Sequence, residues 1–195
     1  MRVCRSRPDN APTIHVAAMK SRARSRMFAA ATLVLGCAWL ATGNAAHAAS
    51  TVAMLPIKLL DTSAEPADQA KDHTRRLEAF GNRLATDLTK AGVYNVVEVT
   101  ASDIKKECPV EDTKCLLSAA RQRGAGLMLI GVVHKSSSLI MQMFARLYDV
   151  KSEKEVFAQD LNFRGDNDES WRRAEAFLIE QFERSEQTKE AKSSQ

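Results

Sequence analysis

The sequence contains few of the residues on which most enzyme chemistry depends. It has four histidines in 195 residues, and only His73 and His134 lie beyond residue 48. Neither belongs to a Ser-His-Asp order or a His-x-x-x-His pair, and no glycine-rich phosphate loop accompanies them. We therefore predict that the protein is not an enzyme and has no catalytic, cofactor-binding or metal-binding residues.

An acidic run at residues 166–169 also falls short of a metal site. Its sequence, Asp-Asn-Asp-Glu, is not followed by the sixth-position glycine and terminal glutamate of a calcium-binding loop. Acidic residues suit the positive end of a helix, so we predict that Asp166 or Asn167 caps a helix here. A weak cation site is the alternative interpretation.

The first 48 residues have the composition of a secretory signal peptide. Basic residues come before an apolar run from Met27 to Leu40, and Ala46-His47-Ala48 then provides a small-x-small cleavage site. The apolar run is shorter than the roughly 20 residues of a comfortable membrane span. We predict cleavage after Ala48, export to the periplasm, and no transmembrane segment in the mature chain.

Two features of this leader leave alternatives open. Met19 begins a better-proportioned signal than Met1 does, so it is an alternative start of translation. The sequence Val-Leu-Gly-Cys ending at Cys37 loosely matches a lipidation site, although Ala-Trp-Leu rather than a polar tether follows it. We expect soluble export, with a lipoprotein or a retained anchor as the less favoured outcomes.

The positive charge of the chain resides in this leader. The whole sequence has 28 basic and 24 acidic residues, for a net charge of +4. Residues 1–48 contain seven of the basic and one of the acidic residues, which leaves 21 basic and 23 acidic residues, a net charge of −2. A weakly acidic mature chain does not attract nucleic acid, and we predict no nucleic-acid partner.

Two of the four cysteines, Cys108 and Cys115, belong to the predicted mature chain. Two cysteines seven positions apart in an exported protein predict one structural disulfide. Because the spacing is not Cys-x-x-Cys and no thioredoxin-like pattern surrounds it, a redox or metal-binding pair is less favoured. Free thiols are the remaining alternative.

A continuous apolar strand, Gly126–Val133, is the centre of the predicted fold. Its apolar residues do not alternate with polar ones, which indicates a strand covered on both faces. The predicted order is β-α-β-α-β-β-β-α, an α/β fold (with α+β character) whose mixed five-stranded sheet has helices on both faces. The predicted strands are 51–60, 93–99, 126–133, 139–148 and 155–163, and the main helices are 68–91, 113–123 and 166–184.

The single α/β domain is predicted to span residues 49–184. Within its first strand, Pro56 cannot donate a ladder hydrogen bond, so it should lie at a bulge or where the strand leaves its neighbour. A short helical turn capped by Ser102 should precede the cysteines. Residues 185–195 are polar and have no apolar anchor, so we predict a frayed C-terminal tail.

Several segments of the chain together resemble a known family. They are a Leu-Pro in the first strand, Ala-Gly after the first helix, Val-Val-Glu-Val at 96–99, Cys-x6-Cys, the strand at 123–133, and Arg164–Arg173. The sequence from 51 to 184 resembles a family of exported bacterial proteins that is a domain of unknown function. Its fold is similar to the N-terminal domain of TolB-like proteins and to lipoproteins that activate penicillin-binding proteins or secrete curli subunits. The resemblance implies a module that binds other proteins or itself, not a catalyst.

One group of residues has the composition of a protein interface. Arg164, Trp171, Arg172 and Arg173 lie close together around the start of the last helix, and tryptophan beside arginine is typical of binding hot spots. We predict that they form a candidate partner surface for another envelope or periplasmic protein, and a homo-oligomer is also compatible. The alternative is that Trp171 packs inward, as helical aromatic residues often do.

Two functions are compatible with these observations. The favoured one is a non-enzymatic periplasmic accessory or protein-binding module. The alternative is a small-molecule or metal-handling accessory protein for a periplasmic oxidoreductase system. A polar pocket at the carboxyl ends of the parallel strands would favour the alternative, whereas a flat exposed apolar patch would favour protein binding.

Overall fold

A six-stranded mixed sheet forms the centre of the protein, which a computed structural model describes from residue 49 to residue 195. The predicted signal peptide, the start at Met19 and the lipidation site at Cys37 lie outside the described residues. The strands are β1 (Ser50–Met54), β2 (Lys58–Asp61), β3 (Tyr94–Glu98), β4 (Leu127–Ser137), β5 (Ile140–Asp149) and β6 (Glu155–Phe163). The helices are α1 (Ala70–Lys90), α2 (Ala101–Glu107), α3 (Thr113–Gln122) and α4 (Asp168–Ser193).

Strand β4 is where a parallel half of the sheet meets an antiparallel half. The strand order is β3-β1-β4-β5-β6, and β2 pairs with the same side of β4 as β1 does. The first three strands run parallel to their neighbours, whereas β5 and β6 return as antiparallel neighbours joined by short turns. The predicted mixed α/β sheet is confirmed, with β4 in the central position expected for an apolar strand.

The first predicted strand is divided into β1 and β2 at Leu55–Ile57. Pro56 lies in this break, where its missing N–H interrupts the ladder. Opposite the break, Gly131 leaves space that Ile57 occupies, because a methyl group at position 131 would overlap the Ile57 side chain. The strand predicted over 51–60 is therefore present as two shorter strands, and Pro56 lies at the expected interruption.

Helices pack on both faces of the sheet. On one face, α1 and α4 contribute Phe80, Leu84, Leu178 and Phe182 to a large core that also contains Leu129. On the other face, the shorter α2 and α3 form a second core. Its members are Ala53, Leu55, Val99, Ile104, Cys108, Leu116, Leu117, Ala119, Ala120, Ala125, Met128 and Val150. Adjacent strand residues enter different cores because successive side chains point to opposite faces.

The helix ends correct two predictions. Thr100, not Ser102, caps α2 and forms a capping box with Asp103. Helix α4 continues to Ser193, so residues beyond 184 are helical and do not fray at Ser185. The hydroxyl of Tyr94 donates a 2.6 Å hydrogen bond to Glu186 Oε1, which holds this extension against the sheet without an apolar anchor.

Candidate functional site

The predicted disulfide is present between Cys108 and Cys115. The two sulfur atoms are 2.04 Å apart, and the Cα atoms are separated by 5.7 Å. Asp112 caps α3 by accepting from the backbone N–H of Cys115, which places Cys115 on the first turn of that helix. The disulfide therefore fixes the end of α2 against the start of α3.

In the structure, Trp171 is buried, whereas the three arginines of the predicted partner surface are exposed. Trp171 is 1% exposed, packs edge-to-face against Phe80 and Phe163, and donates its indole N–H to Asp166 Oδ1 at 3.0 Å. It cannot contact a partner, because its ring fills the core beneath α4. Arg164, Arg172 and Arg173 are exposed. That they contact a partner stays a prediction.

A buried polar network, which the sequence did not reveal, lies beside Trp171. Its central residue is Lys135, whose side chain comes from the end of β4 and is buried. The ammonium group donates to Gln69 Oε1 at 2.6 Å and lies 2.9 Å from Glu65 Oε2 and 3.3 Å from Asp166 Oδ2. Burial lowers the pKa of Lys135, but the Glu65 and Asp166 carboxylates outweigh this and raise it above its ordinary value.

Asp166 is the anionic partner shared by this network. His73 Nε2 lies 2.7 Å from Oδ2, and Arg76 and Trp171 donate to Oδ1 at 3.0 Å. Burial raises the pKa of Asp166, but the hydrogen bonds from His73, Trp171 and Lys135 lower it overall. The carboxylate is thus ionised and satisfied on both oxygens.

This network has a structural role. It joins β4, the start of α1 and the start of α4, and its charges have partners. Across residues 49–195, the one buried side-chain polar atom without a hydrogen-bond partner is Gln181 Nε2, which lies outside the network. At the centre of the network, the Lys135 and Asp166 side chains are 1% and 2% exposed, so their charges are paired inside the protein.

A second feature is the incomplete cover of the sheet on the α2–α3 side. Helices α1 and α4 have 21 and 26 residues, whereas α2 and α3 have 7 and 10. Beyond the reach of α2 and α3, side chains on the same face as Met128 form what we call the open face. Its residues are Lys58, Leu60, Val132, His134, Gln142, Phe144, Arg146, Ala158, Asp160 and Asn162, and none of them is buried.

The side chains of the open face are arranged in rows across the strands. One row consists of Lys58, Val132, Phe144 and Asp160, and the next row consists of Leu60, His134, Gln142 and Asn162. The centre of the first row is apolar. Its ends carry opposite charges, so the row presents an apolar contact bordered by ionic groups.

The polar side chains of this face are held by one another. Arg146 lies over the Phe144 ring, 6.0 Å from its centroid, and forms a 2.6 Å ion pair with Asp160. Gln142 donates to Asn162 Oδ1 at 2.8 Å. The ionic and amide groups therefore remain oriented around the exposed edge of Phe144 without a ligand.

An apolar cleft lies between the open face and the ends of α2 and α3. It has a volume of about 300 Å³ and lies at the carboxyl end of β1, next to the Pro56 break. Lys58 and Glu111 form an ion pair at its margin. The apolar residues that line it are Leu55, Pro56, Ala101, Ile104, Leu116, Ile130 and Val132. Lys58 and Val132 belong to both features, so the cleft and the open face are continuous.

Metal and membrane sites are not apparent in the described part of the chain. From residue 49 onward, no cluster of three or more histidine, cysteine, aspartate or glutamate side chains is arranged to hold a metal ion. Over the same residues, none of the helices combines the length and the apolar character needed to cross a membrane.

The fold and the open face define a small α/β domain with a mixed sheet that one helical layer covers only in part. The chain belongs to the family described as "Protein of unknown function (DUF2380)", whose model matches residues 50–182. This match confirms the resemblance to a domain of unknown function. No curated protein matches the sequence.

Several solved structures are similar at low identity. A PelC dodecamer from Paraburkholderia phytofirmans is 17% identical, with 60% of this chain and 72% of that chain covered and a TM-score of 0.40. The LpoB C-terminal domain from Escherichia coli is 14% identical, with coverages of 62% and 87% and a TM-score of 0.41. TolB from Acinetobacter baumannii is 16% identical, with coverages of 70% and 28% and a TM-score of 0.43. With scores below 0.5, these likenesses carry no inference about function.

Proposed function

We propose that the protein is a non-enzymatic periplasmic accessory module that binds another protein through the open face and the adjoining cleft. The observation that carries the proposal is the unequal cover of the sheet. Two long helices cover one face, whereas part of the other face leaves Val132 and Phe144 only half-buried. Apolar groups with a polar margin are the usual anatomy of a protein interface.

The shape of the site supports a protein partner more than a small molecule. The open face extends over four strands, and strands are spaced about 4.8 Å apart, so its width is about 14 Å. That width suits a flat macromolecular contact. The cleft beside it is large enough to receive one apolar side chain from the partner, as hot-spot residues commonly require.

An exported location supports the proposal. The leader predicts export, and the Cys108–Cys115 disulfide is typical of an oxidising compartment such as the periplasm. The paired buried network supports a non-enzymatic role, because its charged groups are committed to structure. The partner is accordingly proposed to be an envelope or periplasmic protein.

The test compares two phenylalanine variants in affinity purification from native periplasm. Phe144→Ser removes the aromatic centre of the open face and should reduce recovery of the specific partner about tenfold or more. Phe177→Ser is the control, because Phe177 is an exposed phenylalanine on α4, which packs on the opposite face. If both folded variants recover the same proteins as the wild type, binding through the open face is wrong.

The exposed arginines remain a second candidate contact for the same function. Arg172 pairs with Glu169 at 2.7 Å, and Arg173 lies 3.9 Å from the same residue, so both carry charge at the first turns of α4. Arg164→Ala combined with Arg172→Ala should reduce partner recovery if this corner binds. Unchanged recovery would rule the corner out and leave the open face as the contact.

A small-molecule role is the alternative function, and the cleft is the observation that favours it. Ligands of open α/β sheets bind beyond the carboxyl ends of parallel strands, which is where the cleft lies. The lining predicts a compact apolar ligand and argues against a polar cofactor. Thermal shift with a panel of small apolar compounds should show stabilisation that Ile130→Glu abolishes; no shift with any compound would exclude this role.

A further inference from the structure

The apolar cleft is crossed by a bridge between the sheet and the helical layer. Lys58, on β2, lines the cleft from the sheet, and Glu111, in the turn between α2 and α3, lines it from the helical layer. The Lys58 ammonium group donates to Glu111 Oε2 and forms an ion pair with it. The aliphatic part of the Lys58 side chain therefore extends along the cleft towards the turn, as lysine side chains commonly do over apolar surface.

The turn that carries Glu111 is fixed at both ends. We call residues 109–112 the strap, and all four of them are exposed. Cys108, which precedes the strap, is buried in the second core, and the disulfide joins it to Cys115 on the first turn of α3. Because both ends of the strap are held in this way, a movement over the cleft is confined to the few residues between them.

The backbone of the strap has an unfavourable conformation at Glu111. Its φ angle is 55°, in the left-handed region that a residue with a side chain adopts at a cost in free energy. The backbone N–H of Glu111 donates to Cys108 O at 2.9 Å, which closes a tight turn. The ion pair with Lys58 forms only while the strap lies next to the cleft, so it offsets this cost in that position.

We infer that the strap and the Lys58–Glu111 ion pair form a gate, which limits access to the cleft until an occupant separates the two side chains. The inference rests on the proposed function, in which the cleft receives an apolar side chain of the partner. The Lys58 and Glu111 side chains are 57% and 38% exposed, so solvent weakens their attraction. The gate therefore opens readily, and its opening gives the occupant access to the apolar lining of the cleft.

Charge reversal tests the gate in the absence of the partner. Lys58→Glu and Glu111→Lys each place like charges across the cleft, so each single variant should open it. The double variant, which carries both changes, restores an ion pair of opposite polarity. Titration with N-phenyl-1-naphthylamine, an uncharged apolar fluorophore, measures access to the cleft in the wild type and in each variant.

The expected affinities follow from the weakness of an exposed ion pair. Each single variant should bind the fluorophore about threefold more tightly than the wild type, whereas the double variant should bind it as the wild type does. Thr113 is an exposed residue that lines the cleft at the start of α3. Thr113→Trp should weaken binding in every background, because the indole ring would occupy the space of the fluorophore.

Three outcomes would overturn the gate. Equal affinities for the wild type and the single variants, or no binding to any of them, would show that the ion pair does not limit access. A double variant as open as the single variants would show that the substitutions act without the ion pair. Binding that Thr113→Trp leaves unchanged would place the effect outside the cleft. Because the titration contains no partner, the gate can fail while the Phe144→Ser test supports the proposed function, and the reverse result is equally distinguishable.

Discussion

Replacing Lys135 tests whether the buried network stabilises the domain through its charges. Lys135→Met keeps an unbranched chain of similar length but removes the ammonium group, and Asp166→Asn removes the opposing charge. The Lys135 and Asp166 side chains are 1% and 2% exposed. Each single change therefore leaves a charge with fewer partners in a site that water does not reach.

The expected magnitude follows from this burial. Removing one partner of a buried ion pair costs about 3–5 kcal/mol, because the remaining charge stays desolvated. Lys135 keeps Glu65 after Asp166→Asn, and Asp166 keeps His73 and Arg76 after Lys135→Met. We therefore expect each single variant to lose about 3 kcal/mol, at the lower end of that range.

Urea unfolding of both single variants and the double variant measures the coupling. The double variant should lose about 2 kcal/mol less than the sum of the single losses, because it removes both charges together. Lys58→Met is the control, since its ion pair with Glu111 is exposed and should contribute no more than about 1 kcal/mol. Additive losses, or a Lys135→Met loss no larger than the control, would refute the reasoning.

Three further predictions concern stability. Replacing both cysteines of the disulfide by alanine should cost about 2.5 kcal/mol in the chain-entropy model, measured as a lower urea midpoint. Acidification should destabilise the domain between about pH 5 and pH 2, because hydrogen bonds from Lys135 and Ser138 hold the pKa of Glu65 at about 2. Gly131→Ala should cost about 1–3 kcal/mol, because its methyl would overlap the Ile57 side chain and lie 2.9 Å from the methyl of Met143.

Each of these results has a matched comparison. For the disulfide, the reduced wild type should unfold like the double alanine variant, and a difference would indicate that the substitutions themselves disturb packing. For acid stability, folding lowers the pKa of the Glu65 carboxyl. Its contribution to stability is therefore complete above its pKa in the unfolded chain and is lost as the pH falls towards its pKa in the folded protein. Glu65→Gln should therefore flatten the acid limb, and an unchanged limb would contradict the assignment. Gly126→Ala, which has open space at its Cβ, should leave stability nearly unchanged.

Hydrophobic periodicity predicted most of the fold, because each pattern depends only on residues that are close together in the sequence. The apolar strand at β4, the alternating strands β5 and β6, and the stripe of α1 all appear where spacing placed them. The disulfide was predictable from cysteine spacing and the leader. The mixed character of the sheet followed from the length of the connections, since tight turns join antiparallel neighbours.

The buried network was not predictable from the same patterns. Lysine is rarely buried unless paired, and the partners of Lys135 lie about 70 residues before it and 31 residues after it in sequence, at Glu65 and Asp166. Lys135 lay just beyond the predicted apolar strand at 126–133. Asp166 and Asn167 were the two predicted caps of the last helix, and Asn167 is the cap. Trp171 had two interpretations, and only its contacts with α1 and β6 decided that it is core.

The burial of Lys135 also has a consequence for the order in which the domain folds. A chain completed only as far as β6 has Lys135 and its partner Glu65 but lacks Asp166 and α4. Closing the core at that stage would leave the ammonium group without one of its carboxylate partners and the apolar face of the sheet without its second helix. The contacts of Asp166 with Lys135 and of α4 with the sheet become available together, once the last helix has been synthesised. The domain should therefore assemble as one cooperative unit after its C-terminal segment is free, and a truncation before Asp166 should yield an open chain, not a smaller folded core.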